Sequence, residues 1–130
     1  MSHIVKGTVS VAYVSKEHLI KAISGLGQLS ENEKLYRVGV GYTRERYDLV
    51  LISNEDPKLR IGYHLNNGVW EQYQEDYGDY GTWTKNISSQ VQDRYIAYHY
   101  EAQLKEEGFK VTIQQQNDGT LELLAEESAW

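Results

Sequence analysis

Four histidines, His3, His18, His64 and His99, are the first side chains to weigh for chemistry, because a neutral imidazole can ligate a metal or carry a proton near pH 7. No two of them stand four apart, the spacing that puts two ligands on one face of a helix. His64 and His99 would still converge if the helix carrying His99 crossed the strand carrying His64, with Asp48 or Asp93 beside them. That pair is a candidate polar site for a metal or a general base. An isolated histidine more often only donates or accepts a hydrogen bond.

A second candidate lies in residues 74–83, where Asp76-Tyr77-Gly78 is followed at once by Asp79-Tyr80-Gly81 and then by Trp83. Lacking periodicity, the stretch reads as a loop. Asp76, Tyr77, Asp79, Tyr80 and Trp83 then form a candidate ligand loop, whose rings stack on a planar or sugar-like group while the carboxylates, with Glu75, set polarity or hold a hard cation. The spacing fits no calcium loop. The plainer reading is that the rings cover the start of a helix while the glycines turn the chain. Arg44, Glu45 and Arg46, at an expected hairpin tip, could touch a phosphate, although exposed turn charges usually do nothing so specific. GxSxG, P-loop and GxGxxG patterns are absent, and Gly25-Leu26-Gly27 reads as a helix end. No catalytic residue, metal set or cofactor follows from these motifs.

Composition narrows the field. The 130 residues suit a single domain that buries roughly two thirds of its unfolded surface. Eleven tyrosines, against one Phe and one Met, put many hydroxyls in or near the core, and each needs a partner when buried. The absence of cysteine removes disulfides, thiolate nucleophiles and cysteine-held metals together. A formal charge of -6 opposes phosphate backbones at long range. With no leader-like start and no apolar run of membrane length, the expected location is the cytoplasm, without a membrane partner.

The elements that must position these groups begin with residues 84–108, read as one long helix ended by Gly108. Ile87, Val91, Tyr95, Tyr98 and Ala102 share one side of it. Ile96, Tyr100 and Leu104 fall on a roughly opposite side and form a candidate interaction surface, since a helix apolar on two sides needs two covers. Before it, residues 8–14 alternate as a strand, Ser15 caps a helix bearing Leu19, Ala22, Ile23 and Leu26, and residues 28–33 read as a polar connection. Residues 35–43 alternate again, with Gly39 and Gly41 on one face. Residues 43–46 read as a turn into the apolar run 47–53, a central strand. Pro57 breaks the pattern, and Asn67-Gly68 turns a hairpin between 59–65 and 69–73. A last hairpin, 109–115 with 120–125, turns about Asp118 and Gly119 and puts Val111 and Ile113 on one face with Leu121 and Leu123. The order β-α-β-β-β-β-α-β-β makes a single α+β domain over residues 1–130, with about seven mainly antiparallel strands and two helices.

Several motifs carry a resemblance over nearly the whole chain. Met1-Ser2-His3, Ala22-Ile23-Ser24-Gly25-Leu26-Gly27, Ile61-Gly62-Tyr63-His64 with Asn67-Gly68, Ile96-Ala97-Tyr98-His99, and Gly108-Phe109-Lys110-Val111 leading to Gln114-Gln115 and Asp118-Gly119 resemble the Ycf-type family of conserved hypothetical proteins of plastids and cyanobacteria. The chain also looks like a small open reading frame of an archaeal rod-shaped virus, a rudivirus. The apolar first hairpin and the doubled Asp-Tyr-Gly depart from the plastid pattern. The resemblance implies fold and length, supplies no catalytic residues because the family has no established activity, and in its viral form implies the cytoplasm of a host archaeon.

Three functions compete. The first is a non-enzymatic binding or assembly protein, a homodimer or larger, or one bound to a host or viral protein, meeting its partner through the second side of the long helix or a strand edge. A nucleic-acid binder that stacks bases on tyrosines comes second, opposed by the acidic charge. An enzyme built on His64, His99 and the acidic loop comes third.

Overall fold

A computed structural model describes residues 4–7, 9, 11–117 and 120–127. His3, Asp118, Gly119 and Trp130, singled out in the sequence, lie outside them. Seven strands and two helices follow in the order β1 (Ile4–Lys6), α1 (Lys16–Ser24), β2 (Gln28–Arg37), β3 (Gly41–Ile52), β4 (Arg60–Asn66), β5 (Val69–Glu75), α2 (Gly78–Glu106), β6 (Phe109–Gln115) and β7 (Leu121–Glu127). Five strands pair antiparallel in the order β1-β5-β4-β3-β2, while β6 and β7 form a separate two-stranded sheet. The result is the expected α+β class, with its strands divided between two sheets.

Alternate residues of β3 and β4 feed two cores. Leu49, Leu51, Ile61 and Tyr63 pack under the helices against Leu19, Ile23, Val91 and Tyr95. Val50 and Ile52 face the other way, with Leu35, Tyr47, Ile4 and Tyr73. Because this second face has no helix, the β2–β3 hairpin covers it by curling. Asn32 sits at φ 53° and the β2–β3 register slips between Lys34 and Tyr36, irregularities of the kind that bend a ladder. The Leu35 N–H beside the slip is satisfied by Thr43 Oγ1 at 3.1 Å. The hairpin end then crosses the sheet, so that the Val38 N–H donates to Glu75 Oε2 at 3.1 Å and Tyr36 stacks on Tyr80 of α2.

Two tyrosines of the helix-side core find partners for their hydroxyls, while that of Tyr13 is buried without one. The Tyr63 hydroxyl donates to Gln72 Oε1, and Gln72 Nε2 donates to Ser88 Oγ at 3.0 Å and to Gln74 Oε1. The Tyr95 hydroxyl accepts the Val14 and Ser15 N–H groups, each at 3.0 Å, at the entrance to α1. Ser15 caps that helix through its side chain, as its sequence position suggested, accepting the His18 N–H at 3.2 Å.

Five sequence expectations need correction. Of the residues read as the strand 8–14, the described ones, 9 and 11–14, form no strand. The chain leaves β5 after the Gly7 N–H reaches the Gln72 carbonyl and returns only where Tyr13 accepts the Trp70 N–H, while Val9 and Val11 pack on the core. Residues 28–33 are the start of β2, because an edge strand can stay polar while the ladder to β3 satisfies its backbone. Residues 35–43 are split by a turn, and Gly39 and Gly41, at φ 76° and 110°, serve that turn and not a close contact. Residues 43–46 continue β3. Finally, α2 starts at Gly78 and not at residue 84. Glu75 anchors that start: its Oε1 accepts the Tyr77 N–H, and its carbonyl accepts the Thr84 hydroxyl. Gly81 packs so close to the Asp76 carbonyl that a side chain would collide.

Candidate functional site

Helix α2 runs 29 residues, about 43 Å at 1.5 Å per residue. Its buried residues are Thr84, Ser88, Val91, Arg94, Tyr95 and Ala97, so burial stops after the first two thirds. From Tyr98 through β7 no described residue is buried. This last third of α2 and the β6–β7 hairpin that packs on it form an arm, with Phe109, Val111, Ile113, Leu121 and Leu123 half covered on one face of the hairpin. The register pairs Ile113 with Leu123 and Val111 with Ala125, which puts Val111, Ile113, Leu121 and Leu123 on one face, as the alternation suggested.

Where the arm joins the body, α2 and the segment before α1 enclose an apolar cleft of about 420 Å³ lined by Val11, Ala12, Val14, Tyr95, Ile96, His99 and Tyr100. Val14 is 60% and Tyr100 53% exposed. Of the sequence-predicted surface, Ile96 and Tyr100 meet here, while Leu104 sits half-buried one turn further along the arm. Val11 and Val14 were not foreseen as part of it, because their place was assigned to a strand.

No family model, curated protein or solved structure matches this chain.

The other candidates fare differently. His64 and His99 do not converge, since the sheet separates them. His99 packs edge-on against His18 of α1 at 5.7 Å and parallel to Tyr95. Burial, and then the neighbouring His99, lower the His18 pKa below its usual 6.5. His64 lies on the opposite face, its Nε2 3.1 Å from Glu45 Oε1 and its Nδ1 3.4 Å from Asp48 Oδ2, with the Tyr47 ring stacked on it at 4.5 Å. Asp48 is thus its partner and Asp93 is not. Burial and then Glu45 push the Tyr47 hydroxyl up to about 12. Among the described residues no three His, Asp or Glu side chains assemble as a metal set.

The expected ligand loop is helical. Tyr77 is the N-cap residue; Asp79, Tyr80 and Trp83 follow in the first turns of α2, and Asp76 precedes it. Trp83 packs on the helix-side core and Tyr80 on Tyr36, so these two rings pack from within α2 and do not cover its start from a turning loop, as the plainer reading had it. Asp76 accepts from Gln74 Nε2 at 2.7 Å, and Tyr77 remains 57% exposed. No helix among the described residues is long and apolar enough to cross a membrane.

Proposed function

We propose that this chain is a non-enzymatic assembly protein that self-associates as a homodimer through its arm. One observation carries the reading: five apolar side chains share one face of β6–β7, yet none of them is buried. A two-stranded sheet is marginal in water without further cover. The last turns of α2 supply only part of that cover. A second copy supplies the rest with the same surface, the isologous arrangement of most homodimers. Each hairpin strand also keeps one edge without a partner among the described strands, and such an edge can extend across a two-fold axis.

The cleft beside Tyr100 adds apolar area at the base of the arm. With the rudiviral motif resemblance, such an assembly would be a viral accessory protein acting in the host cytoplasm. Light scattering over a concentration series tests the reading. A mass of two chains that falls to one chain in Val111→Asp/Leu123→Asp supports it. A single-chain mass at the highest concentration overturns it.

A further inference from the structure

The curled hairpin brings the sheet back toward its own first strand. Ile4 of β1 shares the second core with Leu35 and Tyr47, and Glu75 at the end of β5 holds Val38. The seam between them leaves a pocket of about 520 Å³ lined by Ile4, Arg37, Thr43, Arg44, Glu45 and Tyr47. Mouths of partly closed sheets are recurrent ligand sites, because side chains from several strands converge there.

Charge distinguishes this pocket. In a chain carrying a net -6, it gathers two guanidinium groups, and neither has a carboxylate within ion-pair distance among the described residues. The one acid in the lining, Glu45, turns its Oε1 to His64. Arg37 is also under-satisfied: its Nε is buried without a partner, and its Nη2 reaches only the Tyr42 carbonyl at a long 3.5 Å. A buried N–H left unpaired is costly and uncommon, so an acceptor supplied by a ligand would stabilise the site. Guanidinium forks match carboxylate and phosphate oxygens in pairs. Ile4 and the Tyr47 ring give the same pocket an apolar wall.

We propose that the seam pocket binds a small oxyanion, a phosphate ester or carboxylate carried on a planar apolar body, with Arg37 and Arg44 holding the oxyanion and Ile4 and Tyr47 the body. This site is independent of the arm and of self-association. The test is nuclear magnetic resonance titration of the full chain with phenyl phosphate, benzoate and inorganic phosphate in parallel, each up to roughly 10 mM, where even a weak millimolar complex would register. The expected result is saturable movement of the Arg37 and Arg44 Nε–H signals with phenyl phosphate or benzoate, weaker with inorganic phosphate. Affinity should fall about tenfold or more when one charge-assisted fork is lost in Arg44→Gln or Arg37→Gln. Arg44 is exposed, so Arg44→Gln remains informative if Arg37→Gln fails to fold. No saturable shift with any of the three anions, or shifts that persist unchanged in Arg44→Gln, would overturn the proposal. The relative response to phenyl phosphate and benzoate identifies which headgroup the forks prefer.

Discussion

The guanidinium of Arg94 occupies the space into which a side chain on Gly25 would project. Gly25 is the C-cap of α1, and Arg94 reaches across from α2 to donate its Nε–H to the Ala22 carbonyl at 3.0 Å, closing the last turn with a cation where the helix dipole favours one. A long-range side chain thus adds to the local end that Gly25 and Lys21 already give this helix.

Gly25→Ala should therefore destabilise the protein by about 1–3 kcal/mol, the usual cost of forcing a group into filled space. In an Arg94→Met background the same change should be neutral or slightly stabilising, because Gly25, at φ -84° and ψ -7°, has a backbone that alanine also adopts and alanine narrows the unfolded ensemble. Urea unfolding of the four proteins measures the coupling. Equal effects in both backgrounds would refute it.

Tyr95→Phe removes the acceptor of two backbone donors while leaving the ring in place. These N–H groups are only partly buried, so the cost should lie toward the lower part of the range of about 1–3 kcal/mol for a buried unpaired donor. The loss should appear in denaturant unfolding, with faster amide exchange at Val14 and Ser15 than elsewhere in the chain.

Gly62→Ala tests the second core. A methyl group there would lie 2.7 Å from the Tyr47 ring, which fills the space over the strand and stacks on His64. The expected cost is again about 1–3 kcal/mol. Loss of near-ultraviolet ellipticity without loss of far-ultraviolet signal would identify displacement of the tyrosine.

Acid should weaken the contact between the helices. The folded-state pKa of His18 is lowered, so the unfolded chain takes up its proton first as pH falls. The contribution of His18 to stability is complete above pH 6.5 and is lost as pH drops from there toward the folded value. Its neighbours are His99 and Tyr95 on α2 and Glu17, Lys21 and Glu101 around it. His18→Gln should flatten the dependence of the urea midpoint between about pH 7.5 and 5, the range that brackets an ordinary imidazole. A profile unchanged by the substitution would exclude His18 as its source.

Local signals were legible where they were self-contained. Ser15 capped its helix, Asn67 and Gly68 turned their hairpin at φ 52° and 83°, Gly108 followed α2 at φ 94°, and the faces of the last hairpin came out in register. What failed depended on partners far along the chain. The first half of β2 is polar because it is an edge, and alternation therefore missed it. The doubled Asp-Tyr-Gly read as a loop because it lacks periodicity, and its glycines disfavour a helix by about 1 kcal/mol each, yet anchoring by Glu75 and the packing of Trp83 and Tyr80 override both. Helical spacing alone put Ile96 and Tyr100 on one side of α2, where both line the cleft. His18 could not be matched to His99, nor Arg37 to Ile4, because those meetings exist only after the sheet has curled and the helices have docked.

Helix α2 starts within three residues of the end of β5, and its first turns are fastened to the hairpin beside the seam through Tyr80 and Tyr36. Its far end carries the arm. Helix α2 is thus held along its first two thirds and stands clear of the core over its last third. A partner that holds the arm therefore pulls on the body only through α2, along the stretch where its residues are buried.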